Sequence, residues 1–178
     1  MPVFHARIVT SDDYVQRRAA QREAHLVRVL GLRSRGLVVA GGPTPDGRLA
    51  ELIYRAPQRP DVTRLIEEDP YYVAGAWKSY TLRVFSEFIE PLKLPPMVAD
   101  GSRGVILVEG EAQRADKAKL ALIGLRAAGR LGFGGFFDGG ATLALLATAD
   151  AAEARRWLAE TGFWDEGRLA ARPFLYVL

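Results

Sequence analysis

The sequence predicts an α+β protein made of two successive ferredoxin-like βαββαβ units, and three observations carry that expectation. First, an internal repeat runs at a spacing of 93 residues: Gly31-Leu32-Arg33-Ser34-Arg35-Gly36 returns as Gly124-Leu125-Arg126-Ala127-Ala128-Gly129, and Gly41-Gly42 as Gly134-Gly135. After a one-residue shift Asp46-Gly47 matches Asp138-Gly139, and Asp69-Pro70-Tyr71-Tyr72-Val73-Ala74-Gly75 matches Thr161-Gly162-Phe163-Trp164-Asp165-Glu166-Gly167. Second, the hydrophobic period within each copy alternates between two and about 3.6 residues, as a sheet covered by helices requires. Third, the stretch from Glu90 to Ser102 holds Pro91, Pro95, Pro96 and an Asp100-Gly101 pair, which stop a helix and favour turns. The expected organisation is a first unit at 1–90, a proline-rich linker at 91–103 and a second unit at 104–178.

In the first copy Phe4 to Val9 alternates as a strand. Ser11, Asp12 or Asp13 then stands ready to cap a helix from about Tyr14 to Arg35, whose apolar stripe includes Val15, Leu26, Val29 and Leu30. Gly36 is the expected stop. Leu37 to Ala40 and Arg48 to Tyr54 read as strands around a Gly41 to Gly47 turn. A helix capped by Asp61 covers Val62 to Glu68, and Ser79 to Phe88 closes the unit as a strand. The second copy repeats the order with Val105 to Val108, Asp116 to Ala128, Leu131 to Gly134, Thr142 to Ala147, Ala151 to Thr161 and Phe174 to Leu178. A four-stranded sheet with both helices on one side leaves its other face apolar and uncovered, so such a unit calls for a partner, which fusion supplies in cis.

Composition narrows the function classes. The 49% hydrophobic content is enough for a core, while the apolar runs fall well short of the roughly 20 residues that span a bilayer. No secretory leader opens the sequence, so no membrane association and a cytoplasmic address are expected. With no cysteine there is no disulfide, thiolate nucleophile or cysteine zinc site, and only His5 and His25 offer imidazole. His5 and Asp138 lack partners at metal-ligand spacing, and no metal or cofactor is expected. The net charge of +3 arises in residues 1–93, with 14 basic and 11 acidic side chains against 10 of each in residues 94–178. The run Arg17, Arg18, Arg22, Arg28, Arg33 and Arg35 reads first as a solvated helix face. Neither glycine-rich turn ends in Gly-Lys-Ser/Thr or opens a helix, so neither is a phosphate loop. The Arg130 to Phe137 stretch superficially matches the aromatic strand of RNA-recognition domains, but its glycines fall at a strand-to-turn junction in a charge-neutral copy; no nucleic-acid partner is expected.

Two residues invite a chemical reading. His25 lies at the edge of the first helix's apolar stripe, with Arg22 three residues before it and Arg18 seven before. Asp69 ends the second helix, where a carboxylate opposes the helix dipole. Each has a plain structural alternative: a histidine packed at the sheet edge against a carbonyl, and a turn-forming Asx residue before proline. If the two helices run side by side, the groups converge, and a carboxylate on one ring nitrogen orients the other as a general acid or base.

Arg22-Glu23-Ala24-His25-Leu26, Gly41-Gly42-Pro43 and Asp69-Pro70-Tyr71 with Gly75 together resemble the YCII-related family, in order and spacing, over most of residues 3 to 88. The resemblance implies a ferredoxin-like fold that associates as an α/β barrel, here as an intramolecular pseudo-dimer of the dimeric α/β-barrel type. It also implies a catalytic centre built from His25 and Asp69. Arg22, Tyr71, Gly42 and Pro43 are then the expected substrate-binding positions. The family is similar to a dehydrochlorinase acting on chlorinated hydroquinone-type intermediates.

The second copy departs from this pattern, with Ala118 opposite His25 and Thr161 opposite Asp69, so one site per chain is expected; Phe133, Phe136, Phe137 and Trp164 become core or pocket wall. The leading expectation is a small-molecule enzyme. In it His25, oriented by Asp69, moves a proton during elimination, isomerisation or hydrolysis of a compact anionic, aromatic or organic-acid substrate. The alternative is a ligand-binding or scaffold protein of the same fold. The expected partners are a small molecule and a second copy of the duplicated chain as a homodimer.

Overall fold

The computed structural model describes residues 1–90, 92–94, 96, 98 and 103–175. About half of the expected linker at 91–103 lies outside the described residues, as do the last three positions of the final expected strand. Two compact units divide the chain, one built on Met1–Val84 and the other from Phe85 onward.

The first unit runs β1 (Val3–Thr10), α1 (Tyr14–Ser34), β2 (Val38–Pro43), β3 (Leu49–Arg55), α2 (Arg59–Glu67), the four-residue α3 (Pro70–Val73) and β4 (Trp77–Phe88). Its strands are antiparallel in the order β2-β3-β1-β4, which is the ferredoxin-like arrangement. The α1 sequence is rich in arginine, alanine and leucine and free of proline, so propensity sustains 21 residues of helix. Gly36 stops it at φ +73, where the Leu37 N–H bonds the Leu32 carbonyl at 2.9 Å.

The buried face of α1 is Tyr14, His25, Val29 and Leu32, all multiples of a turn apart; Val15 and Leu30, expected in the stripe, are 70% and 42% exposed. Each lies one residue, or about 100°, from a buried neighbour, so a face centred on Tyr14 and Val29 turns both outward. Together with Ala6, Ile8, Leu52, Tyr54, Val62 and Ile66, this face forms one core between the helices and the sheet.

Four local expectations are corrected. Asp13 is the N-cap of α1 but makes no capping bond, because its carboxylate is engaged by Arg17 at 2.6 and 2.7 Å. Asp61 sits in the first turn of α2, behind an extended Gln58 N-cap and Pro60, and pairs with Arg64 at 2.7 Å. Gly41, Gly42 and Pro43 belong to strand β2 rather than a turn. The turn is Thr44 to Gly47, closed by the Gly47 N–H on the Thr44 carbonyl at 2.9 Å, and by Asp46, which accepts from the Thr44 hydroxyl and the Arg48 N–H. The sheet face away from the helices is also not apolar, since His5 and Arg7 of β1, Glu51 and Arg55 of β3 and Arg83 of β4 alternate onto it.

The second unit runs β5 (Gly104–Glu111), α4 (Ala115–Ala127), β6 (Leu131–Phe137), β7 (Ala141–Leu146), α5 (Ala151–Ala159) and β8 (Ala170–Leu175). The strand expected at Leu131 to Gly134 runs on through Gly135 to Phe137, and the turn before β7 is confined to Asp138–Gly140. Its strand order, β6-β7-β5-β8, matches the first unit position for position, and residues 85–88 at the end of β4 belong to this second unit, where they pair with β6. Local details match as well. The Arg130 N–H bonds the Leu125 carbonyl at 2.9 Å beside Gly129, and the β-bulge between Val38 and Ala40 has its counterpart between Leu131 and Phe133. Phe136 and Trp164 pack in this unit's core with Val108, Ala118, Leu122 and Leu158, and Phe133 and Phe137 are buried too. Among the described residues no helix is long and apolar enough to cross a membrane.

Candidate active site

The Asp-Pro-Tyr segment folds as it does for local reasons. Asp69 is extended (φ −69, ψ 136), as a residue before proline prefers, and Pro70 occupies the start of α3, where the missing N–H costs nothing. The Asp69 side chain caps α3 by accepting the Tyr71 N–H at 2.9 Å. A carboxylate that looked misplaced at the end of α2 is therefore the N-cap of the next helix. Gly75, at φ +71, ends the turn and leads into β4.

The capped carboxylate meets α1. His25 Nδ1 and Asp69 Oδ1 are 2.8 Å apart, and the two side chains are 11% and 1% exposed. Because a carboxylate accepts, Nδ1 carries the donated proton, and in the singly protonated ring Nε2 then holds the lone pair. Around the pair stand aromatic rings. Tyr71 stacks flat on His25 at 3.8 Å and 11°, Trp77 meets the imidazole edge-on at 5.4 Å, and Tyr14 meets Tyr71 edge-on at 6.2 Å. Burial, with Tyr14 beside it, pushes the Tyr71 phenol up to about 12 against the opposing pull of Arg18 and Arg22. Burial raises Tyr14 as well, against Arg18, so both phenols are protonated hydrogen-bond donors at neutral pH. The fully buried Tyr54 of β3 feels the Asp69 charge from the core and is likewise raised, chiefly by burial.

Of the expected site residues, the fold brings His25, Asp69 and Tyr71 together. Arg22 is exposed on α1, near enough to Tyr71 to act on its titration. Gly42 and Pro43 pair with Glu51 and Ala50 on β3, and among the described residues neither makes a hydrogen bond or ring contact with His25 or Asp69. A cleft of about 610 Å³ on the same unit is lined by Ser11, Asp12, Asp13, Arg17, Gly75 and Lys78, none of them part of the pair. Tyr14, Arg18 and Trp77 were not singled out as site residues; the helical spacing of 14, 18 and 25 was the one signal that could have marked the first two.

A second buried pair also escaped the sequence reading. His5 Nε2 lies 2.6 Å from Glu51 Oε2, with the residues 1% and 2% exposed, and Arg7 approaches Glu51 Oε1 at 3.7 Å. Burial holds the His5 imidazole below its ordinary value, outweighing the pull of Glu51. Only strand register joins residues 46 apart in sequence, which is why no spacing rule finds them. Among the described residues no group of three or more His, Cys, Asp or Glu is placed to hold a metal.

The first unit is thus a ferredoxin-like α+β domain with a buried imidazole–carboxylate pair between its helices. Residues 3–86, in the N-terminal half of the chain, match the YCII-related domain. No curated protein matches the chain. Among solved structures, a candidate monooxygenase from Lactobacillus acidophilus NCFM is similar with a TM-score of 0.57 at 10% identity, over 98% of this chain and 93% of that one. A heme-binding protein from Thermus thermophilus is similar at 0.53 and 13%, over 99% and 92%. At these identities the likeness is one of fold. The 5-chloro-2-hydroxyhydroquinone dehydrochlorinase of Burkholderia phenoliruptrix AC1100, in complex with 2,5-dihydroxybenzoquinone, is 22% identical over 52% of this chain and 95% of its own, with a TM-score of 0.41.

Proposed function

We propose that the chain is a small-molecule enzyme whose chemistry is proton transfer by His25, with Asp69 fixing the ring's tautomer and orientation. The supporting observation is the 2.8 Å contact between an imidazole and a carboxylate that is itself pinned by the Tyr71 N–H. A base held this way has its Nδ1 engaged and its Nε2 available for a substrate proton, while the phenols of Tyr14 and Tyr71 supply donors for charge that develops as the proton leaves. Elimination, isomerisation and hydrolysis of a compact anion all use that step, with Arg22, Tyr71, Gly42 and Pro43 as candidate binding positions. We also read the two units as diverged copies of one ancestor, paired within the chain in the manner of a dimeric α/β barrel. The shared strand order, helix stop and bulge support this. A cytoplasmic site of action and a homodimer of such chains belong to the same reading.

A second reading, a ligand-binding protein without turnover, draws support from the second unit, which keeps the fold with Ala118 and Thr161 at the matching positions. One experiment separates the two. Small aromatic and aliphatic organic acids are incubated with the protein in D2O and followed by NMR for consumption or deuterium uptake. For any acid turned over, His25→Gln is expected to lower the rate about 100-fold or more. An unchanged rate in that variant removes His25 from the chemistry.

A further inference from the structure

On the reading above, we propose that Arg18 determines substrate specificity by binding the carboxylate of a small, flat, unsaturated monocarboxylate whose body lies along the Tyr14–Tyr71–His25 aromatic row. The first ground is what the arginines of α1 are tied to. Arg17 is held by Asp13 and the Ala74 carbonyl, Arg28 by Glu68 at 3.1 Å and the Leu65 carbonyl, Arg33 by the Val39 carbonyl and Arg35 by the Gly31 carbonyl. Arg18 is half-buried and turned to the aromatic rings: its guanidinium lies 5.5 Å from the centre of the Tyr14 ring and hydrogen-bonds the Tyr14 side chain, and among the described residues it makes no ion pair. A guanidinium at an aromatic face, not neutralised by a carboxylate, is a fork suited to a planar, bidentate anion.

The second ground is alignment. Arg18 shares the inward side of α1 with Tyr14 and His25, seven residues and therefore about 10 Å of helix axis before the imidazole. Tyr14 leads to Tyr71 at 6.2 Å and Tyr71 to His25 at 3.8 Å, so a row of rings joins the cation to the proposed base. The Tyr71 phenol responds to Arg18 more strongly than to Arg22, which supports the same placement. A ligand anchored at Arg18 with an unsaturated body over these rings presents its far end to Nε2. A neutral amide offers the guanidinium no charge and is rejected.

The probes are benzoate and its neutral isostere benzamide, titrated into the full chain and followed by the His25 ring signals in NMR and by the melting temperature. Benzoate is expected to bind at least tenfold more tightly than benzamide. That preference should vanish in Arg18→Gln, return in part in Arg18→Lys, and survive in Arg17→Gln, which removes the same charge one residue away. It should also survive in His25→Gln, so loss of the proposed proton transfer and loss of carboxylate recognition are read in different variants. Equal binding of the two probes by the unmodified protein overturns the proposal. So does discrimination retained in Arg18→Gln, or lost to the same extent in Arg17→Gln.

Discussion

The two units are built to one plan, yet the first keeps polar groups in its interior where the second, at three of four matched positions, keeps carbon. His25 and Asp69 correspond to Ala118 and Thr161. Strand register sets His5 against Leu107 and Glu51 against Leu143, since His5 faces Ile53 as Leu107 faces Leu145, and Gly42 faces Glu51 as Gly135 faces Leu143. Three of the replacements are fully or nearly fully buried, Ala118 and Leu143 with no exposure and Leu107 with 2%, while Thr161 is half-buried. One topology thus closes over an apolar interior without help from either pair. Exchanging a buried hydrogen-bonded polar pair for well-packed carbon is often neutral or stabilising, so the fold alone gives no reason for the first unit to hold two such pairs. The difference is what the proposed function requires, with proton transfer assigned to the first unit and packing to the second.

The largest test of that contrast is at the helix junctions. Asp69→Ala removes a cap and strips the partner from a buried imidazole, at an expected cost of about 3 kcal/mol to the first unit. Thr161→Ala removes only a hydroxyl that donates to the Leu158 carbonyl at 2.6 Å, which should cost the second unit less than about 1 kcal/mol. Hydrogen exchange resolved by unit measures both changes. Comparable losses in the two units would sink the idea that only the first is organised around its carboxylate.

A smaller effect is expected from pH. Burial keeps the native His5 imidazole below its ordinary 6.5, with Arg83 and Arg7 adding to the effect and Glu51 opposing it. As pH falls through about 6.5 the unfolded chain takes up a proton that the native one refuses, so stability declines from there until the native group itself titrates. Leu107 gives the second unit no such dependence. His5→Gln should flatten the decline in the first unit and leave the second unchanged. A slope that persists in the variant assigns the decline to another group.

These contrasts were unevenly visible in the sequence. The repeat of Gly-Leu-Arg and Gly-Gly at 93 residues encodes a helix stop and a bulged strand, both local devices, and the element order followed from it. His25 and Asp69 were legible because helix spacing gives His25 a face and the family resemblance marks both residues, whereas the cap that pins Asp69 was read from the sequence only as a turn before proline. The apolar stripe of α1 was drawn too far toward Val15 and Leu30, since single hydrophobic residues mark a helix face only to within a residue's rotation. His5 and Glu51 stayed hidden because their neighbourhood is set by the pairing of β1 with β3, and composition alone does not supply register.

The finest distinction between the units is one oxygen atom: Tyr71 in the first corresponds to Phe163 in the second. The His25 stack requires the ring rather than the hydroxyl, so Tyr71→Phe should change stability at neutral pH by no more than about 0.5 kcal/mol, and His25 should keep its ring contact. Alkaline pH brings out the difference. The native phenol, pushed up to about 12 by burial, holds its proton while the unfolded chain loses one near 10. The unfolded state therefore binds fewer protons over that interval, and the first unit loses stability as pH rises through it. Tyr71→Phe should remove that part of the alkaline decline, making the first unit behave as the second does at Phe163. If the variant instead weakened the unit at pH 7 by several times the expected amount, the hydroxyl would hold structure in its own right, and its place among the donors proposed for the reaction would have to be given up.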